Sequence, residues 1–330
     1  MNLQNFVLLI RKRIARLRSY IISCKYFLYD YKKMFNNSIE GGTTQDNFNT
    51  RILLTSHQLE KGLSHTKSVR VFGEQKAVYL KSLLTEYLSL YGKTDVYKLG
   101  VNVLDNYIAC NNSTKNIKIK EDIKKFIESN KEVIGHFKTG VKIVSEPRQF
   151  NISEIQYFFN SRSSVREFSQ EPISDETILN VMEFAKCTPT ACNRQTSRVH
   201  IFRDKKLMGE LIKNQLGDQG WCNNATAIFV ITSNLNYFNS TFEHMQAYID
   251  GGLYAMNFDW GLHLYHIASC YKMYVRQPSI DKEFHEISKI PLNETPIVLI
   301  LAGHYPNHSV VSPKSVRLPI ESSNLFVIHS

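Results

Sequence analysis

The hydrophobic period of this 330-residue chain changes near residue 151, and that change limits what each part can fold into. Before it, apolar residues recur at helical spacing through 50–63, 74–91, 94–110 and 119–137, so residues 36–150 read as all-helical. After it, β-rich runs alternate with helical stretches. "RVHIFR" (198–203), "TAIFVITS" (226–233), "YKMYVRQ" (271–277) and "PIVLILAGHY" (296–305) predict four strands. Helices are expected over "SEIQYFFNSRSS" (153–164), "SDETILNVMEFAKC" (174–187), "DKKLMGELIKNQ" (204–215) and a long, mostly buried stretch at 243–269. Ser174 is a natural N-cap, with Asp175 and Glu176 complementing the helix dipole. The expected class is α+β, a central sheet flanked by helices and preceded by a helical region.

Charge divides the chain at the same place. Residues 1–150 carry 25 Lys and Arg against 13 Asp and Glu, whereas residues 151–330 carry 15 against 17. The excess is densest in residues 1–35, where eight basic residues and one acid, Asp30, interleave with Leu, Ile, Phe and Tyr. That segment reads as a basic amphipathic helix suited to an anionic membrane, a glycan assembly or a partner. "NNSIEGGTTQDN" (36–47) is the expected linker to a helical unit over 36–150. No apolar run approaches the roughly 18 residues of a membrane span, and "NFVLLIRKR" has too short an apolar stretch for a signal peptide. A nucleic-acid partner is not expected, because no recognised module accompanies the charge.

The six cysteines are scattered, with no C-x-x-C, which fits a reducing cytoplasm better than a zinc site or a disulfide framework. His57, Glu60 and His65 lack metal spacing and read as structural. His263 and His266 read as a satisfied pair of core histidines.

Five segments carry the chemistry in order: "SRSSVREF" (161–168), "TPTACNRQ" (188–195), "DGGLYAMNFDWGL" (250–262), "ASCYKM" (268–273) and "KSVRLP" (314–319). Arg162 and Arg166 lie four apart and could share one face of a helical turn. Together the segments resemble the FMN-dependent nitroreductase family over about residues 151–330. That family opens on Arg-x-Ser-x-Arg/Lys-x-Phe, continues through Pro-Ser-x-x-Asn-x-Gln-Pro-Trp and a glycine-punctuated central helix, and closes on a basic motif.

The resemblance implies a mainly antiparallel sheet, bound FMN, and NADH or NADPH as co-substrate for a small-molecule electron acceptor. It implies that Arg162, Ser163 and Ser164 hold the FMN phosphate, approached by Arg317 and Lys314 from the C-terminal segment. Arg166 would face the N1–C2=O edge and favour the reduced flavin. Pro189, Thr190, Asn193 and Gln195 match the loop at the pyrimidine edge, and backbone N–H groups at Ser269 and Cys270 would face N5 and O4. Family members are homodimers with the site at the interface.

Departures are Thr190 for the usual Ser, Thr196-Ser197 for Pro-Trp, and an extra residue between Lys314 and Arg317. "HQLEKGLS" (57–64) with "FG" at 72–73 resembles extensions on nitroreductase-like proteins from surface-polysaccharide gene clusters. The expected location is cytoplasmic, with peripheral attachment at the inner face of the membrane. Two alternatives stand beside the reductase reading. One is a non-catalytic flavin-fold scaffold on a membrane or glycan assembly, and the other a specialised dehydrogenation or reductive removal of a substituent.

Overall fold

The computed structural model describes residues 3–65, 72–110, 117–215 and 220–320, with side chains from residue 10 onward. The first half builds its own core. Helices α2 (Gln45–Leu63), α3 (Glu74–Tyr91) and α4 (Asp95–Cys110), following α1 (Leu3–Asn37), pack around Ile52, Leu59, Leu80, Leu84, Tyr97 and Leu104. Helix α5 (Ile117–Glu128) closes this core with Ile123. Thr44 and Asn47 cap α2 reciprocally, each side chain taking the other's backbone N–H. Buried tyrosines keep their hydroxyls bonded: Tyr97 donates to Asn130 Oδ1 at 2.6 Å and Tyr87 to Asn49 Oδ1 at 2.9 Å.

The helix expected over 119–137 stops at Glu128, and residues 134–150 are not helical. The Asn102 amide holds the non-helical chain beyond α5. It donates to Val133 O at 2.8 Å and accepts from Gly135 N–H at 2.7 Å, giving the chain backbone partners outside a helix.

The second half is a four-stranded antiparallel sheet in the order β1-β2-β4-β3, from β1 (Ser197–Phe202), β2 (Ala227–Asn234), β3 (Ile267–Met273) and β4 (Glu294–His304). Alternation along the central strands sends Ile228, Val230, Leu299 and Leu301 to one face and Phe229, Ile231, Ile300 and Ala302 to the other. Helices α8 (Lys205–Ile212) and α10 (Pro278–Ser288) cover the first face; α7 (Asp175–Ala185) and α9 (His244–Leu264) cover the second. Helix α6 (Ile152–Ser161) lies outside with no buried residue. Two glycines let α9 press close. A Cβ on Gly251 would stand 2.5 Å from the Ile297 side chain, and one on Gly261 3.0 Å from Val181.

The long helix ends at Leu264, and β3 begins at Ile267, four residues before the strand expected from 271. Ile267 to Cys270 are all buried, so their apolar run has neither helical nor strand alternation to mark the boundary. The histidines expected in the core lie at this helix end instead, His263 in the last turn of α9 and His266 just beyond it. His263 Nε2 lies 2.8 Å from Ser161 Oγ beside Phe158, while His266 is exposed at φ 57°. His57 pairs loosely with Glu60 at 3.8 Å, and Glu60 accepts the Gly140 N–H.

The two halves meet through polar contacts. The segment expected as a linker is pinned where Ile39 N–H donates to Phe238 O at 3.0 Å and Asn47 donates to Asn236 O at 3.0 Å. Upstream, α1 docks by its last turns. Tyr29 donates to Asp281 at 2.8 Å, Tyr248 donates to Asp30, and the Lys33 ammonium sits 3.1 Å from Asp281 and 2.9 Å from His285 Nε2.

His285 Nδ1 reaches Ile290 O at 2.8 Å, which leaves Nε2 to accept from Lys33. Burial, then the Lys33 charge, lowers the His285 pKa below its ordinary value; the Ile290 carbonyl, Asp281 and Glu294 pull the other way. The unfolded chain therefore takes up this proton first as pH falls through about 6.5, and stability falls with it. The expected outcome is a thermal midpoint that drops between pH 7.5 and 5.5 in the native protein and drops less in His285→Gln. Equal slopes would remove His285 from the linkage.

Candidate functional site

Asn151 caps α6 by accepting from the Ser153 and Glu154 N–H groups, and the helix stops at Ser161. Arg162 and Arg166 therefore do not share a helical turn. Residue 162 is already extended (φ −67°, ψ 123°), Ser164 bridges Ser269 on β3, and Val165 N–H donates to Ser269 O at 2.9 Å. Extended backbone alternates its side chains, so Val165 enters the core while Ser164 and Arg166 turn away from it.

Behind Arg162 lies a fully buried carboxylate, Asp259 of α9. Ser269 Oγ donates to its Oδ1, whereas Oδ2 accepts no hydrogen bond and faces Arg162 Nη1 at 3.9 Å. Burial holds this carboxyl above the usual range, opposed by the Ser269 bond and the Arg162 charge. At 3.9 Å the guanidinium is attracted but not hydrogen-bonded, so its donor fork stays open with 22% of the side chain exposed.

Arg166 Nη1 donates to Ser164 O at 3.2 Å, and its guanidinium lies 5.5 Å over the Trp221 ring. Cys270 is buried next to it; burial raises the thiol pKa, with Arg166 and Ser164 acting against the rise. Ser163 is half-buried beside them. Ser312 Oγ donates to Ser164 O at 3.2 Å and brings the C-terminal segment to this cluster. Lys314 and Arg317 follow on exposed backbone, with Arg317 donating to Ser315 O.

The second cluster is the loop after α7. Thr188 Oγ1 donates to Ala185 O and accepts from Asn257 at 2.8 Å, and Ala191 N–H donates to Asp250 at 3.1 Å. Cys192, Asn193 and Gln195 all hold left-handed backbone, at φ 52°, 54° and 55°. Each such residue costs on the order of 1–3 kcal/mol and persists only where its surroundings impose it.

Arg194 imposes it. The side chain is 1% exposed; Nε donates to Ala191 O at 2.9 Å, Nη1 pairs with Glu243 at 2.6 Å, and the guanidinium lies over Phe238. Gln195 N–H closes the turn on Thr190 Oγ1 at 3.0 Å, leaving Asn193, Gln195 and Pro189 exposed. A cleft of about 590 Å³ opens between this loop and the first-half helices, with Thr190, Gln195, Arg198 and Tyr254 on one wall and Leu53 and Leu99 on the other.

One chain does not bring the two clusters together. Asp250 and Asn257 are two turns apart on one face of α9 and carry the loop, whereas Asp259, two residues further on, points nearly the opposite way. Sequence reasoning missed Arg194, Asp250, Asn257 and Asp259. Nothing in "NRQ" distinguishes Arg194. The two aspartates were detectable as charges inside a helix otherwise apolar on all sides. Among the described residues there is no group of three His, Cys, Asp or Glu side chains placed to hold a metal, and no helix is long and apolar enough to cross a membrane.

Residues 160–218 match the nitroreductase family, which bears out the resemblance over the first two motifs. No curated protein matches the chain. Among solved structures it is similar to an FMN-dependent nitroreductase from Clostridium difficile R20291, at 17% identity over 50% of this chain and 94% of that one (TM-score 0.42). A nitroreductase family protein from Clostridium difficile 630 is 20% identical over 53% of this chain and 96% of that one (TM-score 0.42). A nitroreductase with bound FMN from Desulfitobacterium hafniense DCB-2 is 19% identical over 55% of this chain and 100% of that one (TM-score 0.41).

The strained loop gives a test of its anchor. Arg194→Met keeps the bulk of the side chain but removes the countercharge of Glu243, which keeps the Asn239 N–H and, 33% exposed, can partly rehydrate. The expected loss of folding stability is therefore about 3 kcal/mol, the low end for breaking a buried pair. Denaturant unfolding would show it, and an unchanged midpoint would mean that the loop holds itself.

Proposed function

We propose that this protein is an FMN-dependent oxidoreductase. The carrying observation is Arg162, a guanidinium positioned by a buried carboxylate that does not saturate it, with Ser163 and Ser164 beside it. That donor set suits a phosphate dianion, which needs charge-assisted hydrogen bonds from a fixed fork. Arg162, Ser163 and Ser164 would hold the phosphate, with Arg317 and Lys314 closing over it from the segment that Ser312 ties down. Bound FMN would supply hydride transfer from NADH or NADPH to a small organic acceptor.

The residues of the chain bind and tune. Arg166 keeps a fixed positive charge on the cluster's exposed side, where it would offset charge gained on reduction. Asn193 and Gln195, presented by the strained loop, would hydrogen-bond the ring edge, and β3 at Ser269 and Cys270 would border it.

Because the clusters face opposite sides of α9, the reading requires a homodimer in which each copy completes the other's site. An apolar stripe supports this. Met245, Ile249 and Leu253, exposed by 65%, 52% and 48%, follow helical spacing along the start of α9, and Phe242, 96% exposed, stands in the turn just before it. Such a stripe on a monomer would be costly. Seven of the eight cations of residues 1–35, all but the buried Lys33, are exposed and add a peripheral contact with an anionic membrane or glycan surface. A place in surface-polysaccharide metabolism rests only on the extension's resemblance.

The purified full-length protein is expected to be yellow and to release FMN on denaturation. Arg162→Ala and Arg317→Ala each lose a charge-assisted bond worth about 1.5–3 kcal/mol, so FMN affinity should fall roughly 10- to 150-fold. Fluorescence titration of FMN measures this, and unchanged affinity in both variants would place the phosphate elsewhere.

Arg166→Ala should lower the flavin midpoint potential more than it weakens FMN binding, since the charge it offsets arises on reduction. A wild-type midpoint in that variant would remove the role.

A further inference from the structure

Helix α1 has an apolar face that the reductase reading leaves unused. Every residue from Ile10 to Leu28 is exposed, including Ile10, Ile14, Leu17, Ile21 and Leu28 at 40–61%. A helix of this length gains most of its stability from packing an apolar face, and nothing in the described chain packs here.

The spacing of that face is regular. Ile10, Ile14, Leu17, Ile21, Cys24 and Leu28 are separated alternately by four and three residues, and Tyr31 and Phe35 continue the series. This is the seam of a heptad repeat, with Ile14, Ile21 and Leu28 at the a positions and Ile10, Leu17 and Cys24 at d. A strict period of 3.5 drifts by about 20° per heptad around a straight helix and stays in contact only with a helix wound against it.

We propose that a second copy of this chain covers the seam, forming a parallel, two-stranded coiled coil. The flanking positions choose the orientation. Arg11, Arg18, Lys25 and Lys32 occupy every e position, and Tyr20 and Phe27 occupy g. Antiparallel pairing would oppose e to e, cation to cation, along the whole seam. Parallel pairing sets g against the e position five residues later, so Tyr20 meets the partner's Lys25 and Phe27 meets the partner's Lys32.

Only Arg13 and the partner's Arg18 then form a like-charged pair. Ile14 and Ile21 at a with Leu17 at d favour two strands. Lys12 and Arg16 stay on the outside, so the anionic contact proposed above does not compete for the seam. With six cations and no acid between Ile10 and Leu28, the pair repels at low salt and tightens as screening rises.

Cys24 provides the test, because a d position meets its own counterpart only when the strands are parallel and in register. Full-length protein is treated with copper–phenanthroline and air; two Cys24 thiols give up two protons and two electrons to the oxidant as the S–S bond forms. The expected result is a covalent dimer on a non-reducing gel whose yield rises with added NaCl. Cys24→Ser should abolish it, and Ile14→Asp/Ile21→Asp should lower it by at least about tenfold.

That second variant alters only exposed residues and should keep any FMN and any dimer formed through α9, which separates this result from the reductase reading. No cross-link, or one that survives Ile14→Asp/Ile21→Asp, overturns the proposal. So does a cross-link that weakens with salt while the native seam, and not the double variant, sediments with phosphatidylserine vesicles, because the apolar face would then belong to lipid.

Discussion

Two carboxylates inside α9 hold the candidate site in place. Asp259 accepts from Ser269 on β3 and sits behind Arg162, while Asp250 takes the Ala191 N–H on the opposite face. Both are essentially unexposed, and a buried carboxylate is tolerated only where donors replace its water. Here the motif segments supply donors and a countercharge: Ala191 N–H and Ser269 Oγ donate, and Arg162 faces the Asp259 oxygen that accepts no hydrogen bond. The helix that closes the sheet's core therefore also sets where Arg162 and the loop of Asn193 stand.

The rest of the site is built on that spine by different means. Around Arg162 the backbone is relaxed and extended, and its order comes from pairing with β3 and from the Val165 and Phe168 plugs. Around Asn193 it is strained, and its order comes from Arg194, buried between Glu243 and Phe238. Glu243 directly precedes α9, so the anchor for the loop arises from the same helix. An exposed apolar stripe of Met245, Ile249 and Leu253 runs along the start of the same helix.

The first half is joined to this frame more firmly than a linker would suggest. Asn47, Thr50 and Asp46 of α2 bond to Asn236, Asn234 and Tyr237, and Lys33 and Asp30 of α1 are tied to α10 and α9. One wall of the cleft at Thr190 and Gln195 consists of first-half residues. The helical extension is thus part of the surroundings of the Asn193 loop, whereas residues 10–28 of α1 are exposed.

Much of this was legible in the sequence. The periods of 3.6 and 2 marked the helices and the four strands, because burial of one face writes itself into spacing. The motifs at 161–168 and 188–195 marked the two segments that α9 positions, because their Arg, Ser and Asn donors stand out in a half with no excess of positive charge. Sequence alone also determined the charge imbalance and the heptad spacing of α1. Tertiary structure decided what spacing cannot express. It ended α6 at Ser161, started β3 at Ile267 inside an apolar run, and moved His266 out of the core. It also gave Asp250 and Asp259 their partners, the Ala191 N–H on one face of α9 and Ser269 on the other, so that two successive motifs became separate in space. The reason is common to all four. Local pattern reports which side chains seek burial, but the partner that satisfies each backbone and carboxylate is supplied by residues distant in the chain.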